Sequence, residues 1–156
     1  MPSTPRFATC LAAGLAITLT AAQADAQSQE ALEAANLEKA LWCMDVLENQ
    51  LDLDLAAREC FGETYIQHSP HVPDGRDGVL DYFARRIERN PESSIEIARA
   101  GADGDLVWIH LRSRNTPDAR GHAVINIFRM EDGKFVEHWG VGQPVPEDSV
   151  HGNSMF

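Results

Sequence analysis

The chain has 156 residues, with 13 basic and 24 acidic side chains and a formal net charge of −11. That length suits a single domain, and a body of about 130 residues buries about two-thirds of its unfolded surface, so folding requires no metal or staple. The acidic balance excludes a nucleic-acid partner, whose phosphates need a basic footprint, and otherwise means solubility.

Met1–Ala26 has the pattern of an export signal. Arg6 gives a weak positive start, Cys10–Ala22 is an uncharged apolar run, and Ala22-Gln23-Ala24 and Ala24-Asp25-Ala26 both offer small residues for cleavage. The run is short for a membrane span. The alternative is a buried N-terminal helix. The expectation is a mature domain from residue 27 to 156, periplasmic or secreted, with no membrane contact after cleavage. Two thiols, Cys43 and Cys60, then remain. In an oxidising compartment an even count points to a disulfide, and otherwise to two small buried hydrophobes.

Gln29–Asn49 is predicted as a helix, because Leu37, Ala40, Leu41, Met44, Leu47 and Leu51 recur at three- and four-residue steps. A short second helix over Asp52–Cys60 follows, capped by Asp52 or Asp54 and ended by Gly62. Thr64–Gln67 reads as a strand leading into a Pro- and Gly-containing loop with His68 and His71. A third helix over Gly78–Arg89, capped by Asp77, has the inward stripe Val79, Leu80, Phe83, Arg86 and Ile87. Ser94–Ala98 and Leu106–Arg114 read as strands around a turn at Ala102–Asp105. After Gln143 the prolines, Gly152 and Asn153 predict an extended tail.

Ala123–Met130 and Phe135–Val141 are rich in β-branched and aromatic residues and flank Asp132-Gly133, a hairpin signal. A two-residue type I′ loop would pair Asn126 with Trp139. A type I turn with Gly133 in a bulge would pair Asn126 with His138 and Val124 with Gly140, and this bulged form is the preferred expectation. It puts Val124, Asn126, Phe128, Val136, His138 and Gly140 on one face, and Ile125, Ile127, Trp139 and Val141 on the other. The first face mixes apolar walls with a few polar groups, as ligand cavities do.

Four stretches carry a resemblance: AVINIFRMEDGKFVEHWGVGQPVPE in this hairpin, YIQHSPHVPDGRDGVLDYF at Tyr65–Phe83, GDLVWIH at Gly104–His110 and the tail GNSMF. They resemble the SnoaL-like branch of the nuclear transport factor 2-like superfamily. The resemblance implies an α+β, cystatin-like cone, in which a curved antiparallel sheet wraps around about three N-terminal helices with a pocket between. Some members are polyketide cyclases that perform an intramolecular aldol condensation with an acid/base carboxylate. That carboxylate usually follows the Trp of the Glu137-His138-Trp139 motif, where this chain has Gly140, and close relatives often have Asp where it has Asn126. The resemblance also implies dimers through the outer face bearing Ile125, Ile127 and Trp139. An apolar face of that kind marks an interface, unless the C-terminal tail covers it.

Two functions follow for a pocket that takes a small molecule. In an enzyme of the cyclase or isomerase kind, His138 is the base, with Asn126 and His110 or His68 polarising the substrate. In a binding module the pocket persists without the carboxylate. In both, Tyr65, His68, Val124, Phe128 and Gly140 are expected to meet the ligand. No nucleophile elbow, phosphate loop or dinucleotide fingerprint is present. His68-x2-His71 lacks the paired ligand sets that make zinc motifs specific, so neither metal nor cofactor is expected.

Overall fold

The computed structural model describes residues 11–156, and for residues 11–22 and 24 the backbone alone. The start of the expected export segment, Met1–Cys10, lies outside the described residues. The elements are α1 (Leu11–Glu48), α2 (Leu53–Glu59), β1 (Phe61–Gln67), α3 (Arg76–Arg89), β2 (Ser94–Asp103), β3 (Leu106–Arg114), β4 (His122–Glu131) and β5 (Lys134–Pro144). Three helices and one five-stranded curved sheet form an α+β domain. The strand order is β1-β5-β4-β3-β2, and among the described residues no helix is long and apolar enough to cross a membrane.

Several boundaries differ from expectation for identifiable reasons. α1 already runs from Leu11, the first described residue, well before Gln29, since the Ala- and Leu-rich stretch ahead of Gln29 contains no Pro to stop a helix. Its side chains from Asp25 to Leu32 are exposed, and packing begins at Glu33. Asp52 is the cap of α2, its Oδ1 accepting from the Leu55 N–H at 2.9 Å. Gly62 does not end α2 but lies in β1. Gly75, not Asp77, is the residue before α3. The sheet is mixed rather than antiparallel, because β1 pairs with β5 in parallel while the other pairs are antiparallel.

The β4–β5 hairpin uses neither form weighed from the sequence. Asp132 and Gly133 have φ of 49° and 71°, and Glu131 pairs with Lys134, as in a type I′ turn. A bulge then follows in β5: Met130 pairs with Phe135, but Arg129 pairs with Glu137, leaving Val136 unpaired. Asn126 therefore pairs with Gly140, not with Trp139 or His138, and Val124 pairs with Gly142. The parity matches the expected faces although the partners do not. Phe135 takes the inward place expected of Val136. The Val136 side chain instead lies over Gly62, where an added Cβ would come within 2.9 Å of Val136 Cγ1.

Behind the sheet, Met44, Val46, Leu47, Phe61, Val107, Ile109, Leu111, Phe128 and Phe135 form a buried core. Burying each such side chain contributes on the order of 1.5–3 kcal/mol before chain entropy is counted. Polar clamps fix α1 across the β2–β3 hairpin: Gly104 N–H donates to Glu33 Oε1 at 2.9 Å, Asn36 Nδ2 donates to Gly104 O at 3.2 Å, and Ile95 N–H donates to Asn49 Oδ1 at 2.8 Å. Cys43 and Cys60 are fully buried and bonded to each other, with Cα atoms 5.6 Å apart and a sequence separation of 17. The bridge ties α1 to the residue that ends α2. Replacing both by Ala is expected to lower the unfolding free energy by about 3 kcal/mol in the chain-entropy picture, read from denaturant midpoints. Two free thiols in unfolded, unreduced protein would refute the bridge.

Candidate functional site

The inner face of β3, β4 and β5 does not meet the helices everywhere. Between them lies a cavity of about 670 Å³, walled by α1, β1, the loop after β1, and α3. Met44, Leu47, Phe61, Val79, Phe83, Leu111, Val124 and Phe128 supply its apolar wall. Polar groups enter only at certain points, and most already have partners.

His138 has both ring nitrogens engaged. Nδ1 lies 2.8 Å from Gln67 Oε1 and Nε2 lies 3.0 Å from the Asn126 side-chain amide. Gln67 Oε1 also accepts the Ser69 backbone N–H at 2.9 Å, which holds it as an acceptor and makes His138 Nδ1–H the donor. Burial, with the nearby His68 charge a lesser cause, pulls the His138 pKa from 6.5 down to about 4. The ring is therefore neutral near pH 7 and Nε2 carries its lone pair. A half-turn of an amide exchanges its oxygen and nitrogen, so a neutral ring selects the Asn126 NH₂ as donor to Nε2. Phe128 stacks on His138 with centroids 4.8 Å apart. Tyr65 is buried, and that burial pushes its phenol well above the ordinary value against a hydrogen bond with Gln67.

Gly140 makes this arrangement possible. A Cβ there would lie 3.0 Å from His138 Cε1 and 3.1 Å from the end of the Asn126 side-chain amide that meets Nε2. The His138 and Asn126 side chains thus occupy the space over residue 140, the position where the resemblance puts a carboxylate.

Of the residues singled out from the sequence, His138, Asn126, Tyr65, Val124, Phe128 and Gly140 line the cavity. His110 and His68 do not. Inward positions on β3 are odd-numbered, so His110 lies on the outer face, its Nδ1 accepting from Arg99 Nη1 at 2.8 Å and its ring stacked on Phe156 at 5.6 Å. His68 turns outward from the end of β1. It lies flat against Trp139, centroids 4.8 Å apart and 2° between planes, with Nε2 2.9 Å from Glu137 Oε1. Hydrogen bonds from His68 and Arg129 hold the Glu137 carboxyl below the usual range.

One polar group in the wall was not singled out as functional. Glu48, at the end of α1, is ion-paired with Arg86 of α3, and Arg86 Nη2 donates to Ser113 Oγ at 3.0 Å. All three line the cavity. The available signal was Arg86 itself, a cation within the inward stripe of α3; nothing local marked Glu48 as its partner. His71 and His122 line the cavity as well.

Comparison with known proteins agrees with this architecture. The sequence profile of the SnoaL-like domain matches residues 43–138. TsrD from Streptomyces laurentii is similar in structure, with a TM-score of 0.59 and 21% identity over 71% of this chain and 90% of that one. A protein from Jannaschia sp. CCS1 assigned as a SnoaL-like polyketide cyclase gives 0.60 and 20% identity, covering 71% and 87%. One from Kribbella flavida assigned as a ketosteroid isomerase gives 0.61 and 15% identity, covering 76% and 85%. At these identities the structural likenesses establish the fold alone. No curated protein matches the chain in sequence. With more than half of its residues matched by that profile and its sheet and helices arranged in the same way, the chain belongs to the SnoaL-like domain family.

Proposed function

We propose that the chain is an exported module that binds a small, largely apolar molecule in the cavity and has lost the acid–base chemistry of cyclase-type relatives. The observation that carries this reading is the state of His138. A base for proton transfer from carbon needs a free lone pair aimed at the substrate and a pKa near the working pH. His138 has neither, since both ring nitrogens are held by amides and its pKa is drawn to about 4. Gly140 supplies no carboxylate in its stead. Among the structural neighbours, those assigned as polyketide cyclase and ketosteroid isomerase supply the competing reading, in which His138 turns over the bound molecule. Export is supported by the apolar N-terminal run in the sequence and by the disulfide, which persists in oxidising compartments.

Native mass spectrometry on protein secreted from its own host tests export and binding together. The expected result is a chain beginning at Asp25 or Gln27 that carries a small molecule unchanged after prolonged incubation. Conversion of that molecule by the wild type, abolished in His138→Ala, would establish the enzyme instead. An N-terminus retaining Cys10 would exclude export by this signal.

A neutral buried histidine also has a pH signature. Because the folded pKa lies below 6.5, the unfolded chain takes up the proton first as pH falls. The contribution of His138 is therefore fully present above about 6.5 and is lost as pH drops toward about 4. Melting temperatures should fall across that window in the wild type and fall less in His138→Gln. Parallel curves for the two proteins would contradict a neutral His138.

We also propose a homodimer through the outer sheet face. Trp108, Ile125, Ile127 and Val141 are 42%, 44%, 36% and 72% exposed on adjacent rows. Phe156 of the tail stacks on His110, beside Ile125, and lies under the Arg112 guanidinium, while the four apolar side chains keep the exposure given above. Ile127→Glu should convert a dimer into a monomer by light scattering, whereas a wild type already monomeric at high concentration would end the idea.

A further inference from the structure

The cavity has a second polar end. Ser113 pairs with His122 across β3 and β4, and His122 lies four residues along β4 from Asn126, a separation of about 13 Å in an extended strand. The Glu48–Arg86–Ser113 group is therefore far from the His138–Asn126 pair. Its side chains are deeply buried, Glu48 at 10% exposed and Arg86 at 13%. A buried ion pair of this kind is seldom more stable than apolar residues of the same volume, and it sits here among Met44, Leu47, Val79 and Phe83.

The hydrogen-bond inventory of the group is incomplete. Arg86 has five N–H donors. Nη1 serves Glu48 Oε2 and Nη2 serves Ser113 Oγ. Glu48 Oε1 accepts no hydrogen bond among the described residues, and the Ser113 hydroxyl proton is free to donate. The group thus presents an acceptor beside donors. Among the described residues, Glu48 and Arg86 are also the only carboxylate and guanidinium lining the cavity, and their charges cancel. An anion would meet Glu48 and an overall charge of −11; a cation would meet Arg86. A hydroxyl both donates and accepts, and matches both partners.

We infer that Glu48, Arg86 and Ser113 form a subsite for the hydroxyl group of an elongated, uncharged ligand whose far end meets His138 and Asn126. The inference rests on the binding-module reading and names the class of molecule that module takes. The hydroxyl donates to Glu48 Oε1 and accepts from Arg86, while the aromatic and aliphatic wall holds the body.

Three rod-shaped probes test it by calorimetry at pH 7: 4-hydroxybiphenyl, 4-methoxybiphenyl and biphenyl-4-carboxylate. The wild type should bind the hydroxyl compound roughly tenfold more tightly than the methyl ether, the size of one charge-assisted hydrogen bond, and the carboxylate most weakly. Glu48→Gln should narrow that preference. Glu48→Leu/Arg86→Met, which leaves no unpaired charge, should erase it. Equal binding of hydroxyl compound and ether by the wild type, a preference that survives the double variant, or strongest binding of the carboxylate would each overturn the subsite alone. Binding of none of the three by the wild type would overturn the cavity reading and the subsite with it.

Discussion

One unpaired residue in β5 decides what this protein's interior contains. Side chains alternate along a strand, so a shift of one residue exchanges its two faces. The type I′ turn at Asp132-Gly133 pairs Met130 with Phe135, and continuing that register would put Glu137 opposite Phe128 and turn His138 outward. The bulge at Val136 restores the other parity. His138 then faces the cavity beside Phe128, while Glu137 faces outward to Arg129 and His68. The bulge needs room, and Gly62 on the neighbouring strand provides it by having no Cβ where Val136 Cγ1 lies.

From that parity follows the chemistry of the site. Parallel pairing of β1 with β5 puts Gln67 opposite His138, where its amide fixes the imidazole from one side as Asn126 does from the other. The absence of a side chain at Gly140 lets the ring lie across β5. A side chain at that position would press on the ring and the Asn126 amide, and a carboxylate there would favour the ring's charged form. The two departures from the relatives' pattern, Gly140 and Asn126, are therefore one structural unit: a glycine that admits the ring and an uncharged amide that binds it neutral. The result is a hydrogen-bonded wall around a neutral ring, the feature on which the proposed binding role rests.

The charges are arranged with the same economy. Acidic side chains dominate the chain, yet among the described residues the cavity lining holds one carboxylate and one guanidinium, and they are paired. Breaking that pair by removing a single partner leaves an uncompensated buried charge and is strongly destabilising, typically by about 3–5 kcal/mol. Its position at the junction of α1, α3 and β3 links the ends of three elements, of which α1 is also held by the disulfide and by the Gly104 clamps.

Local pattern was sufficient for much of this. The periodic stripe of α1, the alternation of β3 and β4, the Asp-Gly turn and the cysteine pair are properties of short stretches, and so were legible, as was the family through the hairpin motif. Six of the eight anticipated site residues line the cavity: five lie on the inner face of the hairpin, which strand parity defines, and Tyr65 lies on β1. What the sequence left open depends on where distant segments meet. His110 and His68 face outward because their positions on β3 and beyond β1 fall on the opposite parity, which only the assembled sheet assigns. The parallel β1–β5 pairing joins strands separated by the whole of α3, β2, β3 and β4. The meeting of Glu48 with Arg86 spans 38 residues. No local propensity encodes such contacts: they arise when helices pack across a sheet, and only the tertiary structure decides them.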